Sequence, residues 1–216
     1  MPDPSDLPVT RTLADACDPA SFALVVYDCQ VGILRQLPEP QALLDGVLRV
    51  LQACREAGVR VVFMRHLSMP LELSGSFTLR QAMAWQRVER PEDVRPWFLR
   101  DSEAHALVPE LAPRPSEAVL DKVTMSAFEG TPLDIVLRDC GVRAYLIAGV
   151  AIEAGIEPTV RHSADLGYIP VVVRDACGAG DAAAGARAMD ALAFAGDAMI
   201  ADTEQVCAAL SASGRT

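Results

Sequence analysis

The sequence predicts an α/β fold: a doubly wound parallel sheet of six strands with helices on both faces. Short apolar runs alternate along the chain with segments of helical periodicity, which is typical of strand–helix–strand units. Hydrophobic residues make up 51% of the chain but aromatic residues only 5%. A core of valine, leucine, isoleucine and alanine suits a buried parallel sheet. The length of 216 residues is enough for one large domain.

Six apolar runs are the predicted strands, at 21–27, 59–64, 117–120, 145–148, 169–173 and, more weakly, 198–201. Between them, residues 41–57 repeat apolar side chains at helical spacing and end at Gly58. Further helices are predicted over 132–140, with Thr131 as N-cap, from about 153 to 166, over 182–195 and from 203. The glycine at 155, in the first turn of one helix, is unfavourable by about 0.5–1 kcal/mol relative to alanine.

The predicted domain organisation is an N-terminal arm over 1–20 and a single domain over 21–216. The arm is polar and rich in small residues, and we expect it to lie over the surface or over a partner subunit. Residues 67–116 contain several prolines and both tryptophans without a clear period. A long irregular connection of this kind is usually a lid or an interface element. We therefore expect a homo-oligomer, a dimer or a tetramer.

Composition excludes several classes of partner. A net charge of −10 disfavours nucleic acid and anionic membranes. No signal-like start and no membrane-length apolar stretch is visible, so we expect a cytoplasmic protein with a small-molecule substrate. The six cysteines are widely spaced without a CxxC pair, which indicates buried free thiols and neither a disulfide framework nor a zinc site. No cofactor is expected.

Polar residues follow four of the predicted strands: Asp28, Arg65 with His66, Asp121 with Lys122, and the turn from Gly149 to Gly155. The carboxyl ends of parallel strands meet at one edge of a sheet, where α/β proteins bind ligands. These residues are therefore candidates for an active site.

Four stretches resemble the isochorismatase-like hydrolase superfamily, which includes nicotinamidases, carbamoylsarcosine amidases and isochorismatases. They are VVYDCQVG (25–32), VVFMRH (61–66), DKVTMSAFEGTPLDIVLRDCGV (121–142) and LIAGVAIEAGIEPTVRHSADLGYIPVVVRDAC (146–177). The resemblance covers roughly residues 21–180. It implies a six-stranded parallel sheet with helices on both faces and an oligomeric protein.

The resemblance also implies a catalytic set of aspartate, lysine and cysteine. The aspartate falls on Asp28 and the lysine on Lys122, but the cysteine position is Gly155. Isochorismatases, the cysteine-less branch of the family, also have glycine there and hydrolyse a vinyl ether without a covalent intermediate. The missing side chain is expected to leave room for substrate or water beside the helix N-terminus.

These observations lead to a hypothesis with two alternatives. The leading hypothesis is a hydrolase that lacks the thiol and uses Asp28/Lys122 acid–base chemistry on a small carboxylated substrate, including vinyl-ether hydrolysis. The first alternative is an inactive family member that binds a small molecule or a partner. The second is an amide or ureide C–N hydrolase that uses directly activated water.

Further residues are candidates for substrate binding or are expected to lie outside the site. The candidate substrate-binding residues are His66, Ala151, Phe128, Trp85 and Trp97. Cys29 is not expected to be a nucleophile, because neighbours on a strand point to opposite faces. His105 and His162 are expected at the surface. No metal is expected, because the resemblance implies a second histidine soon after His66 in metal-binding relatives, and Leu67 and Ser68 follow here.

Overall fold

A parallel six-stranded sheet forms the centre of the structure, a computed structural model that describes residues 9–213. The strands are β1 (Phe22–Tyr27), β2 (Arg60–His66), β3 (Ala118–Lys122), β4 (Ala144–Val150), β5 (Ile169–Gly178) and β6 (Met199–Ala201). Their order across the sheet is β3-β2-β1-β4-β5-β6, and every neighbouring pair is parallel. The predicted fold class is confirmed. The strand order reverses between β1 and β4, and such a switch point is where open α/β sheets bind ligands.

Helices cover both faces of the sheet. They are α1 (Leu13–Ala16), α2 (Val31–Leu34), α3 (Pro40–Glu56), α4 (Ser76–Gln86), α5 (Leu133–Asp139), α6 (Glu157–Asp165), α7 (Ala182–Ala195) and α8 (Thr203–Ser213). One core cluster contains apolar residues of α3 and α8, and the other contains those of α5, α6 and α7. Strand β1 is buried throughout, with Leu24 and Val26 in the first cluster and Ala23 and Val25 in the second. A strand covered on both faces is apolar at every position, which explains the unbroken run in the sequence.

The structure departs from the sequence prediction at β5 and at the start of α5. Strand β5 continues to Gly178, so Asp175 lies within it and does not follow it. Oδ1 of Asp175 accepts hydrogen bonds from the backbone N–H and the hydroxyl of Thr203 at 2.7 and 2.9 Å, which fixes the start of α8. Helix α5 begins at Leu133 with Pro132 as N-cap, and Thr131 contributes a hydroxyl that accepts from the Leu133 N–H at 3.2 Å.

The irregular segment over 67–116 contains a helix that the sequence pattern did not predict. Helix α4 has eleven residues, and none of its side chains is buried. Because no face of α4 packs into the core, its sequence lacks the apolar stripe that identifies a surface helix. The rest of the segment has short 3₁₀ turns, at Leu71–Leu73, Pro91–Asp93, Glu103–His105 and Pro109–Leu111, and an isolated antiparallel β-bridge between Leu107 and Gln30.

The N-terminal region also differs from the predicted arm. Residues 1–8 lie outside the described part of the chain. Helix α1 starts with a capping box between Thr12 and Asp15, and Ala16 and Cys17 are buried in the cluster formed by α3 and α8. The stretch from Leu13 to Cys17 is thus part of the domain. Between Arg11 and the end of α8, no helix has the length and apolar character needed to cross a membrane.

Candidate active site

Asp28 and Lys122 form a buried ion pair at the carboxyl edge of the sheet. Asp28 follows β1 and Lys122 ends β3, so the lysine side chain crosses the end of β2. Nζ of Lys122 donates to Oδ2 of Asp28 at 2.7 Å, and the two residues are 2% and 5% exposed. Asp28 has a φ of 51°, a left-handed conformation that aspartate tolerates better than most residues. The structure thus brings two of the three predicted catalytic positions into direct contact.

The second carboxyl oxygen of Asp28 is available to a ligand. Oδ1 is buried and has no hydrogen-bond partner in the described residues. Asp28 lines a cavity of about 700 Å³. Four predicted substrate-binding residues line the same cavity: His66, Trp85, Trp97 and Ala151. Because an unpaired buried oxygen is unfavourable, Oδ1 is a natural acceptor for a substrate or a water molecule.

Phe128 lies in the core and not in the cavity wall. Its ring centroid is 6.0 Å from that of Tyr145 and 5.5 Å from that of Tyr168, and all three rings belong to the core cluster beneath α5 and α6. Burial among aromatic neighbours is favourable for a phenylalanine, and this packing places the ring away from the ligand. The structure does not place Phe128 where the sequence analysis expected it.

Tyr27 fills the space beside Gly155. A Cβ built on Gly155 would lie 2.6 Å from Cε1 and 2.7 Å from Cζ of Tyr27. The tyrosine hydroxyl donates to the Met125 carbonyl, and Nζ of Lys122 lies 4.4 Å from the centroid of the ring. The expectation that the missing side chain leaves room for substrate or water is therefore wrong. A tyrosine occupies that space.

The backbone of Gly155 is also engaged. Gly155 lies in a π-helical turn, Ile152–Ile156, that precedes α6. Its N–H donates to the Ala151 carbonyl at 3.0 Å, and its carbonyl accepts from the Thr159 hydroxyl at 2.7 Å. Gly155 lines the cavity with Asp28, but its amide is already used within the turn. Glycine at this position lets the backbone lie close to the Tyr27 ring.

His66 is held beside the ion pair through its backbone. The fully buried side chain of Gln30 provides the contacts. Its nitrogen donates to the carbonyls of His66 and His105 at 3.0 and 2.9 Å, and its oxygen accepts from the His66 N–H at 2.6 Å. The His66 ring meets Trp85 and Phe98 edge-on, with centroids 6.5 and 5.8 Å apart. Nδ1 of His66 has no hydrogen-bond partner within residues 9–213. The imidazole is thus positioned by its surroundings, and its Nδ1 is free to bind a ligand.

Glu153 is a second acid in the wall of the cavity. Its Oε1 accepts hydrogen bonds from the N–H groups of Gly180 and Asp181, at 2.7 and 2.9 Å. These amides belong to the loop between β5 and α7. Oε2 is buried and unpartnered in the described chain. The carboxylate of Glu153 therefore links two walls of the cavity and keeps one oxygen free.

Burial changes the proton affinities of the groups in the site. It raises the pKa of Asp28, and the positive charge of Lys122 opposes that rise. It lowers the pKa of Lys122, and Asp28 opposes that change. Burial, together with the nearby Lys122, lowers the pKa of His66 to about 3, so the imidazole is neutral at pH 7. Burial thus brings the proton affinities of the aspartate and the lysine closer together.

The thiols lie outside this site. Among residues 9–213, no cysteine lines the cavity. Cys29 is buried in the cluster on the α3 face, whereas Tyr27 belongs to the opposite cluster. Burial raises the pKa of the Cys29 thiol far above its usual range, and a thiol is a poor nucleophile unless it ionises. The position of Cys29 agrees with its exclusion as the nucleophile.

The two remaining histidines differ from the prediction to different degrees. His105 is 2% exposed, and its Nε2 lies 3.3 Å from Oδ1 of Asp121. The prediction that it lies at the surface is wrong, because Asp121 and the Gln30 contact hold it inside. His162 is partly buried and its Nδ1 shares a hydrogen bond of 2.9 Å with the Ser126 hydroxyl.

Three residues of the site were missed from sequence. Tyr27 is the one residue of strand β1 with a polar side-chain group, and a buried tyrosine requires a partner for its hydroxyl, which was a usable signal. Gln30 carries no signal in the sequence, because its partners are distant in the chain. Glu153 stands in the first turn of a helix, where an acid is common for electrostatic reasons alone.

Comparisons with known proteins show which family the chain resembles. Residues 22–205 match the family described as the isochorismatase domain. Ureidoacrylate amidohydrolase RutB of Methylorubrum extorquens is 31% identical over 140 residues, which are 62% of this chain and 56% of that protein. The match therefore spans little more than half the length of that relative. RutB of Enterobacter sp. is 29% identical over 174 residues, which are 73% of this chain and 75% of that protein.

The solved structure of a cysteine hydrolase from Pseudomonas syringae has the same fold. It superposes with a TM-score of 0.76 at 23% identity, covering 96% of this chain and 99% of that one. This likeness concerns the fold, and the family match extends over most of the present sequence. The chain belongs to the isochorismatase family of hydrolases.

Proposed function

We propose that this protein hydrolyses its substrate without a thiol, with Asp28 as the proton-transfer group and Lys122 as the residue that holds it. The observation that supports this most directly is the asymmetry of the Asp28 carboxyl group. Lys122 binds Oδ2, while Oδ1 is unpartnered at the wall of the cavity. A carboxylate anchored through one oxygen is oriented for proton transfer through the other.

The proposed reaction begins with a water molecule hydrogen-bonded to Oδ1 of Asp28. Oδ1 accepts a proton as the water oxygen attacks the substrate carbonyl carbon. The same oxygen then returns that proton to the nitrogen of the breaking C–N bond, so one water is consumed and the carboxyl group is restored. The opposing effects of burial and Lys122 on the pKa of Asp28 suit a group that takes and then returns a proton.

The proposed bond is the C–N bond of a small ureide or amide. The two relatives described above are named ureidoacrylate amidohydrolases, and activated water provides a route to C–N cleavage that requires no thiol. A carboxylate on the substrate remains part of the proposal. The exposed Arg87 lines the cavity and offers a guanidinium group for it.

Vinyl-ether hydrolysis is a second candidate, supported by the upward shift in the pKa of Asp28 through burial. This reaction requires a protonated acid that delivers a proton to carbon, after which water adds to the oxocarbenium ion. The same two residues would serve both reactions. The difference lies in the protonation state with which Asp28 starts. We also propose that the enzyme is cytoplasmic and that residues 21–216 form a single domain.

The test is a turnover screen of ureides, amides and vinyl ethers with wild type and two variants. Asp28→Asn should reduce kcat/KM at least about 100-fold, since it removes the proton-transfer group. Cys29→Ser is the matched control on the neighbouring residue and should change kcat/KM less than about tenfold, because the thiol is buried in the core cluster on the α3 side of the sheet and does not line the cavity. Thermal melting of each variant separates lost chemistry from lost folding.

Two results would contradict the proposal. If iodoacetamide abolished the activity and Cys29→Ser were equally inactive, the reaction would use a thiol. If no substrate were turned over by the folded wild type, the inactive binding protein would be the better description.

A further inference from the structure

Three buried polar atoms without hydrogen-bond partners belong to residues around one cavity. They are Oδ1 of Asp28, Nδ1 of His66 and Oε2 of Glu153, and all three residues line the cavity of about 700 Å³. Asp28 is 5% exposed, so its free oxygen has little access to bulk water. Unpaired buried polar groups are rare in folded proteins because they are costly. Their convergence on one cavity indicates that a ligand completes them.

The free oxygen of Glu153 is fixed in place by its partner oxygen. Oε1 accepts from two consecutive backbone amides, those of Gly180 and Asp181. The loop lies close to the carboxylate: a Cβ on Gly180 would lie 3.0 Å from Oε1, and a Cβ on Gly185 would lie 3.7 Å from Oε2. A carboxylate held by two amides keeps a defined orientation. Oε2 is therefore a positioned acceptor.

The chemistry of the three atoms favours a ligand with N–H groups. Carboxylate oxygens only accept hydrogen bonds, and a neutral imidazole nitrogen accepts or donates according to its tautomer. Within the described residues, no three histidine, cysteine or acidic side chains are grouped closely enough to hold a metal ion. A group that donates two or more hydrogen bonds satisfies the site. A terminal ureido or guanidino group does so with its N–H bonds.

We propose that Glu153 is a substrate-recognition residue whose Oε2 accepts a hydrogen bond from a terminal nitrogen group bearing at least two N–H bonds. This inference rests on the proposed function for the location of the reacting bond and adds the substrate class. A ligand without those N–H bonds leaves Oε2 of Glu153 unpaired, whereas Oδ1 of Asp28 keeps the attacking water of the proposed reaction. Sites built in this way discriminate strongly against analogues that lack the donor.

Binding of three ligands of related shape tests the proposal without requiring turnover. They are N-carbamoylglycine (neutral ureido), guanidinoacetate (cationic) and N,N-dimethylcarbamoylglycine, whose terminal nitrogen carries no N–H. Trp85 and Trp97 line the cavity, so stopped-flow tryptophan fluorescence reports binding before any hydrolysis. Wild type should bind at least one of the first two ligands about tenfold or more tightly than the third.

Glu153→Gln is the informative variant. Glutamine keeps an oxygen for the amides of Gly180 and Asp181 but replaces the free acceptor with a donor. Binding of the N–H ligands should weaken about 10- to 100-fold, and the preference over the dimethyl ligand should disappear. The matched control is Glu157→Gln, four residues further along the chain at the start of α6, where the carboxylate pairs with Arg161 at 3.0 Å. It should leave binding unchanged.

The outcomes separate this proposal from the catalytic one. Tighter binding of guanidinoacetate would show that the site prefers a cation, and tighter binding of N-carbamoylglycine would show that it prefers a neutral group. Either result supports the role of Glu153. A preference for N–H ligands that persists in Glu153→Gln is steric and overturns the proposal, as does equal binding of all three ligands by wild type. If Glu153→Gln fails to fold, Glu153→Asp takes its place: it keeps the charge but withdraws the carboxylate by one methylene, and it should show the same loss of preference. Binding of a ureide or guanidino ligand, with no turnover of any ureide, amide or vinyl ether by the folded wild type, would contradict the proposed function and leave this inference standing.

Discussion

The ring of Tyr27 occupies the space that a side chain at position 155 would need. The two residues belong to different elements, the end of β1 and the turn before α6, and each explains the other. Only glycine at 155 lets the tyrosine lie there, and the tyrosine hydroxyl is anchored on the Met125 carbonyl. A thiol at this position is therefore excluded by the glycine itself and by its neighbour. Restoring it would require both residues to change.

Gly155→Cys is expected to destabilise the protein and to create no thiol-dependent activity. The new side chain would collide with Cε1 and Cζ of Tyr27, and overpacking of this kind costs about 1–3 kcal/mol. Chemical denaturation measures the loss. Gly75→Cys is the control, because a Cβ at that glycine meets no other atom within 4 Å.

A double-mutant cycle identifies the cause. Gly155→Cys should cost less free energy of unfolding in a Tyr27→Val background than in wild type, because the smaller side chain makes room. Equal costs in the two backgrounds would show that Tyr27 is not what excludes a side chain at 155.

Lys122→Met should make stability depend more steeply on pH. Without the lysine, the main influence that opposes the effect of burial on Asp28 is lost, and its pKa rises further above the value of about 3.9 for an unfolded chain. When the pKa of a carboxyl group is raised in the folded state, the protein keeps its full stability below the unfolded pKa, where the group is protonated in both states. The protein then loses stability as pH rises from the unfolded pKa through the folded pKa. The free energy of unfolding should fall by about 1.4 kcal/mol per pH unit in that window.

Urea denaturation from pH 4 to 8 measures this slope. At neutral pH the variant should be about 3–5 kcal/mol less stable than wild type, the usual cost of leaving one partner of a buried ion pair charged and alone. The control, Asp28→Asn/Lys122→Met, carries neither charge and should lose the additional slope. A single variant with the pH profile of wild type would mean that water solvates Asp28 and that the pair is not isolated.

The sequence predicted the sheet and the pair of charged residues for a physical reason. Parallel strands buried on both faces are unbroken apolar runs, and their carboxyl ends must share an edge, so Asp28 and Lys122 were expected to approach one another. The contacts that complete the site depend on packing between distant segments. The ring of Tyr27 against Gly155, the link from Gln30 to His66 and the clamp from Glu153 to Gly180 leave no periodic signal.

Helix α4 was missed for a related reason, and its exposure leads to the last prediction. An isolated helix of eleven residues is marginal in water, yet no side chain of α4 is buried. Phe77 on α4 is 71% exposed and Leu73 just before it is 67% exposed. A second cavity of about 730 Å³ lies beneath this helix, lined by both residues and by Val123. We expect α4 to be covered by another copy of the chain.

Sedimentation at micromolar concentration should show a homo-oligomer, and Phe77→Glu should shift it toward the monomer, because a buried carboxylate at an apolar contact is unfavourable. The matched control is Phe194→Glu. Phe194 on α7 is 95% exposed and lies outside both cavities, so its replacement should leave the assembly intact. A monomeric wild type, or an assembly that Phe194→Glu disrupts instead, would place the contact elsewhere. Trp85 on the same helix lines the cavity of about 700 Å³ beside Asp28. If that cavity binds the substrate as proposed, the Phe77→Glu monomer should also bind substrate more weakly, which raises KM before it lowers kcat.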